Sequence, residues 1–202
     1  LSQLVVAALV ALLCGVSAVA GPRAGWGKTL RLPCSAAQGR QGRDAFTDSL
    51  AHYTMGIIYD NDANYESAIA EYRKAIALEP GISYLRTRLA ADYLLTKKND
   101  EAISELNKAK ALDPKDTKPA YVLALVYTAS GQFEDARRQY EEIINSEPDS
   151  ILALSSLADL FIIQEKMAEA VSIYEKLLAG NNDSDALYFN LAIIYARMGR
   201  ID

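Results

Sequence analysis

The stretch DNDANYESAIAEYRKAIALEP, residues 60–80, contains side chains that could hold a cation. Asp60, Asp62 and Asn64 fall at positions 1, 3 and 5 of a twelve-residue calcium loop, and Glu71 falls at position 12. Such a loop needs glycine at position 6 for its sharp turn, and Tyr65 stands there. Calcium is therefore not expected. A second stretch, GPRAGWGKT at residues 21–29, is close to a phosphate-binding loop. The first glycine of that motif should be residue 22, which is Pro22, and Pro33 bars the helix that should follow. His52 is the only histidine, and no nucleophile or ligand set accompanies it, so a packing role is expected. Asn182-Asp183-Ser184 matches a glycosylation acceptor, a pattern short enough to arise by chance. With no catalytic constellation, cofactor motif or metal-ligand set among these residues, the chain is expected not to be an enzyme.

Composition narrows the classes further. The chain has 202 residues, 50% hydrophobic and 23% charged, which suits a folded domain. Its net charge of −5 is uneven. Residues 1–48 carry five basic and two acidic residues, which leaves −8 on the remainder. An acidic body argues against a nucleic-acid partner, because phosphate contacts need a basic face. Of the two cysteines, Cys14 and Cys34, neither lies beyond residue 48, so packing alone must stabilise the body.

Residues 1–20, LSQLVVAALVALLCGVSAVA, have no charge and end in Ala18-Val19-Ala20, an A-x-A cleavage pattern. They are expected to be a signal peptide or a membrane anchor. That places the rest as secreted, periplasmic or outward-facing on a membrane, with residues 1–20 as the tether if uncleaved. Residues 21–48 lack a sustained period and are expected to be a flexible linker.

From residue 49 the elements that must position any site become legible as a repeat. At a spacing of 34 residues, Gly56, Ala90, Ala124, Ala158 and Ala192 align. So do Tyr59, Tyr93, Tyr127, Phe161 and Tyr195; Ala68, Ala102, Ala136 and Ala170; Tyr72, Leu106, Tyr140 and Tyr174; and Pro80, Pro114 and Pro148. Each unit reads as two helices. Acidic residues such as Glu66, Asp100, Glu101, Glu134 and Asp135 open the second helix, where they meet the positive end of its dipole. The prolines end it, since the residue before proline avoids the helical region. Small residues let the two helices of a hairpin approach, and aromatic residues fill the seams.

The pattern resembles the tetratricopeptide repeat family. Units 49–82, 83–116, 117–150 and 151–184 and a partial unit 185–202 carry it. Ala120, Ile143, Leu177 and Asn182 depart from it, and Gly180 is expected to end the fourth unit's second helix as its C′ residue. The resemblance implies an all-α fold, a right-handed superhelical solenoid of about four and a half hairpins. The last helix, ALYFNLAIIYARMG, has no second helix to cover its apolar face. Continuation of the natural chain, or self-association through that helix, is expected.

The resemblance also implies a concave groove lined by the first helices, at unit positions 2, 5, 9 and 12. The residues expected to contact a partner are Tyr53, Ile57, Tyr84, Thr87, Tyr121, Leu125, Ser155, Asp159 and Phe189. Some members clamp a peptide carboxylate with Lys, Asn and Arg in the groove. Here position 5 is Tyr53, Thr87, Tyr121, Ser155 and Phe189, so that clamp is absent. The function expected is a scaffold that binds a protein or peptide segment by equilibrium contact. The alternatives are a substrate-recognition arm of a larger enzyme, such as a glycosyltransferase with its catalytic domain beyond residue 202, and an envelope or pilus assembly factor.

Overall fold

A computed structural model describes residues 41–180 and 184–199. The expectations for residues 1–40 and for Asn182 and Asp183 lie outside the described residues. Those described form nine α-helices and no strand. In chain order these are α1 (Gln41–Asn61), α2 (Tyr65–Leu78), α3 (Ser83–Leu95), α4 (Asn99–Leu112) and α5 (Lys118–Ala129). There follow α6 (Phe133–Ser146), α7 (Ile151–Ile163), α8 (Met167–Ala179) and α9 (Asp185–Arg197). Among the described residues no helix is long and apolar enough to cross a membrane.

The linker boundary needs correction. α1 begins at Gln41, so residues 41–48 are helical. Gln, Arg and Ala propagate a helix well, and Asp44 sits in the first turn, where the dipole favours it. This extension carries too few apolar positions to show a helical period.

The chain divides into two compact units, residues 1–105 and 106–202. In the first, α1 packs on α2 and α2 on α3. Gly56 marks the closest approach: a Cβ built there would meet Tyr72 Cε1 at 2.4 Å. Ala68, Tyr72 and Ala75 of α2 have no exposed surface, and Ala90 and Ala102 have none either. In the second unit α5 packs on α6, α6 on α7, α7 on α8, and α8 on α9. Its cores gather around Tyr140 and Tyr174, which are both 1% exposed. Ile143 and Leu177, the bulky departures from the small-residue pattern, are buried without breaking either hairpin.

The turn within each repeat uses one device. Ala63, Lys97, Gly131, Glu165 and Gly199 all lie at unit position 15, and all have φ between 55° and 76°. This left-handed residue closes the first helix as in a Schellman motif. The next amide donates back to the carbonyl of unit position 11, as in Asn64 N to Tyr59 O at 2.8 Å and Lys98 N to Tyr93 O at 2.8 Å. The same bond joins Gln132 to Tyr127 and Lys166 to Phe161. In the sequence only Gly131 and Gly199 betray the conformation. Gly180 does end α8, but with φ −77° rather than in the left-handed region.

Candidate functional site

The calcium-like stretch resolves into a helix end, a turn and a helix start. Asn64 caps α2, its side chain accepting from the Ser67 amide at 3.4 Å. Asp62 is exposed. Asp60 points inward, where its Oδ2 accepts from Tyr72 Oη at 2.6 Å and from Arg88 Nη2 at 2.5 Å. Its side chain is 9% exposed, facing an Arg88 side chain that is 8% exposed. His52 pairs with Glu71, Nδ1 to Oε2 at 2.5 Å, and Lys74 joins Glu71 at 2.7 Å. The Lys74 and His52 contacts together hold the Glu71 carboxyl below its usual range.

Asp92 completes the buried cluster at 2% exposure. Burial first, then the charge of Asp60 and a hydrogen bond with it, push the Asp92 carboxyl up to about 9, while Arg88 pulls it the other way. Two acids facing one guanidinium in a buried site favour one of them staying protonated. Asp60 is the partner bonded to Arg88, and neutral Asp92 is held beside it.

The hydroxyl of each buried tyrosine at unit position 24 follows a rule. Tyr72 meets Asp60 of its own unit and Arg88 of the next hairpin, the latter at 3.3 Å. Tyr174 donates to Asp159 at 3.2 Å and accepts from Asn190 Nδ2 at 3.3 Å. Burial raises the Tyr140 phenol, and the side chains of Thr128 and Ser156 near it act the other way. Arg88, Ser156 and Asn190 share unit position 6. Where position 24 is Leu106, the corresponding residues are the apolar Leu94 and Val122. A buried phenol needs partners, and these positions supply them. Only the Tyr72 instance uses an ion pair.

Above this floor in the first unit lies an aromatic surface. The Tyr53 ring is 6.0 Å from that of Tyr72 and meets Tyr84 edge-on at 5.9 Å. The two hydroxyls of Tyr53 and Tyr84 are 3.4 Å apart. Phe46, Leu50 and Ile57 fall on the Tyr53 face of α1 by helical spacing. Phe46 is 54% exposed, Leu50 50% and Tyr84 45%, while Tyr53 and Ile57 are half-buried. Thr87 needs correction as a contact residue. It is buried, and its hydroxyl donates to Ser83 O of its own helix at 3.3 Å. The other expected lining residues of α3, Ala91 and Leu94, are buried too.

In the second unit Tyr121 and Leu125 are half-buried on α5. Tyr121 packs edge-on against Tyr140 at 6.0 Å and shares a hydrogen bond with Ser156 of α7 at 3.2 Å. Ser155 is half-buried, Asp159 is exposed, and Phe189 on α9 is 66% exposed, the most open aromatic among the described residues. Leu152 and Ile163 of α7 and Ile193 of α9 add exposed apolar surface. The predicted list thus divides between the two units, each with its own aromatic surface.

Comparison with known proteins agrees with this architecture. Tetratricopeptide repeat family models match residues 49–82, 93–160 and 153–185. A curated relative, tetratricopeptide repeat protein 21A of Mus musculus, is 30% identical over 114 residues. Those residues are 56% of this chain but 9% of that protein, so the chain spans only a small part of its relative. Among solved structures, MamA superposes with a TM-score of 0.66 at 18% identity, covering 82% of this chain and 86% of that one. The first such repeat domain of Spaghetti (RPAP3), bound to the HSP90 peptide SRMEEVD, gives 0.54 at 27% identity over 59% of this chain and 95% of that one. PilF of Pseudomonas aeruginosa gives 0.62 at 20% identity over 78% and 70%. From its 34-residue period, its paired helices and these matches, the chain belongs to the tetratricopeptide repeat family.

Proposed function

We propose that this chain is a protein-interaction scaffold whose aromatic face holds a peptide or protein segment. The observation that carries the reading is the Tyr53–Tyr84 pair with Phe46, Leu50 and Ile57 beside it, a contiguous apolar surface within one unit. Surfaces of this kind on a folded protein are where partners dock. Tyrosine supplies large contact area at small entropic cost. A peptide seated on the Spaghetti (RPAP3) repeat supports the mode of binding. That peptide is acidic, and the surface described here offers no exposed cation among its five residues.

Binding is reversible, with no covalent step and no cofactor. The apolar pattern of residues 1–20 supports export or tethering, so the scaffold faces outward in this reading. Self-association through α9 belongs to the same proposal, since Tyr188, Phe189 and Ile193 are exposed on it. Light scattering over a concentration series tests that part, and a monomer throughout would remove it.

The direct test of the scaffold is selection from a random peptide display library on the immobilised chain. Enrichment of sequences rich in Leu, Phe and Tyr, competing with one another, is the expected outcome. Failure to enrich any family of sequences would overturn the reading.

A further inference from the structure

The surface residues Tyr53 and Tyr84 lie over an ion pair that the repeat does not require. In the second unit Tyr174, at the same position, is satisfied by Asp159 and Asn190 without any cation. The first unit instead invests an arginine, and then cancels it. Arg88 reaches over the Tyr72 ring at 6.0 Å and bonds to both the Tyr72 hydroxyl and Asp60. The Tyr53 ring rests on that same Tyr72 ring. The charges of Arg88 and Asp60 are both felt at the Tyr53 phenol, which burial and its bond with Tyr84 push up to about 12. The guanidinium and the Tyr53 ring therefore both lie against the Tyr72 ring.

Guanidinium is the preferred partner of a carboxylate, and charge-assisted bonds of this type are the strong ones. Without Asp60, Arg88 would offer such a site beside the Tyr72 ring that Tyr53 packs on. With Asp60 in place, an incoming acid must displace an internal one that is already held by two donors. It must also part the Tyr53–Tyr84 contact.

We propose that Asp60 is a specificity-determining residue that acts as a built-in competitor: it occupies Arg88, so that the first unit's aromatic surface takes uncharged apolar segments and rejects acidic ones. The proposal rests on the binding reading above and names the chemistry of the segment. Asp92 is the second acid beside Arg88 and would inherit it if Asp60 alone were neutralised. The decisive variant is therefore Asp60→Asn combined with Asp92→Asn, which keeps the shapes and removes both carboxylates beside Arg88.

The probe is a fluorescent peptide, Gly-Glu-Glu-Leu-Asp with a free carboxyl terminus, titrated by anisotropy at low salt. The native chain should show no saturable binding up to about 1 mM. The double variant should bind at least about tenfold more tightly, the scale of one charge-assisted bond, and adding Arg88→Met should abolish the gain. In parallel, acetate should shift the Arg88 Nε–H resonance in the double variant and leave it unmoved in the native chain. Circular dichroism checks the fold, and Asp60→Ser with Asp92→Asn serves as the second background.

A folded variant that gains neither peptide nor acetate binding would overturn the proposal, as would native chain that binds the acidic peptide through Arg88. The acetate arm needs no peptide groove. If library selection yields no binder yet acetate behaves as expected, the binding reading fails while the competition for Arg88 stands.

Discussion

Asp60 and Arg88 join across 28 residues of sequence, carboxylate to guanidinium at 2.5 Å, with Tyr72 bonded to both. This contact ties the end of α1 to α3 through the aromatic floor of α2. Buried ion pairs are costly to form and costly to break on one side. The neutral Asp92 beside it limits the charge that has to be buried.

That arrangement makes the first unit sensitive to alkali. The Asp92 carboxyl is raised from 3.8 to about 9 in the fold, so the folded chain binds the extra proton between those values. Stability from this group is complete below the unfolded value and is lost progressively as pH rises through the folded one. Urea midpoints should therefore fall from pH 5 to pH 9. Asp92→Asn should flatten the slope while leaving the fold intact, and an unchanged slope would contradict the assignment.

The small-residue contact is tested by adding volume. Gly56→Ala places a methyl group 2.4 Å from the Tyr72 ring, and Ala102→Leu fills a site with no exposed surface. Each should destabilise by about 1–3 kcal/mol in chemical denaturation, the usual cost of overpacking. A neutral result at Gly56 would mean that Tyr72 moves aside freely.

The left-handed turn residues give the opposite sign. Lys97 and Glu165 hold φ of 61° and 60°, where a side chain is strained. Lys97→Gly or Glu165→Gly should relieve that strain and raise stability by about 0.5–1 kcal/mol, after the entropy glycine adds to the unfolded chain. Thermal melts of single variants would show it as a higher midpoint. Loss of stability would mean that the turn tolerates these side chains without cost.

Much of this fold is legible in the sequence because its contacts repeat. Ala68, Ala102, Ala136 and Ala170 recur at a fixed spacing, and each one is fully buried. Tyr53 and Tyr84 are legible as surface residues only through the family resemblance, which implies a groove at their unit positions. The Asp60–Arg88–Asp92 cluster is not, because it departs from the repeat and depends on pairing between hairpins. The burial of Thr87 is not legible, because a unit position gives a direction and not a depth. The helical stretch from Gln41 to Asp48 escaped because its residues favour helix by propensity, with too few apolar residues to mark a face.

The central claim is that the Tyr53–Tyr84 surface carries the binding. Titration calorimetry of a selected apolar peptide against the native chain and against Tyr53→Ala with Tyr84→Ala tests it most directly, with helicity checked by circular dichroism. The account predicts a loss of at least about 2 kcal/mol in binding with the helical signal preserved, as for truncated aromatic anchors. Equal affinity in a variant of full helicity would contradict it.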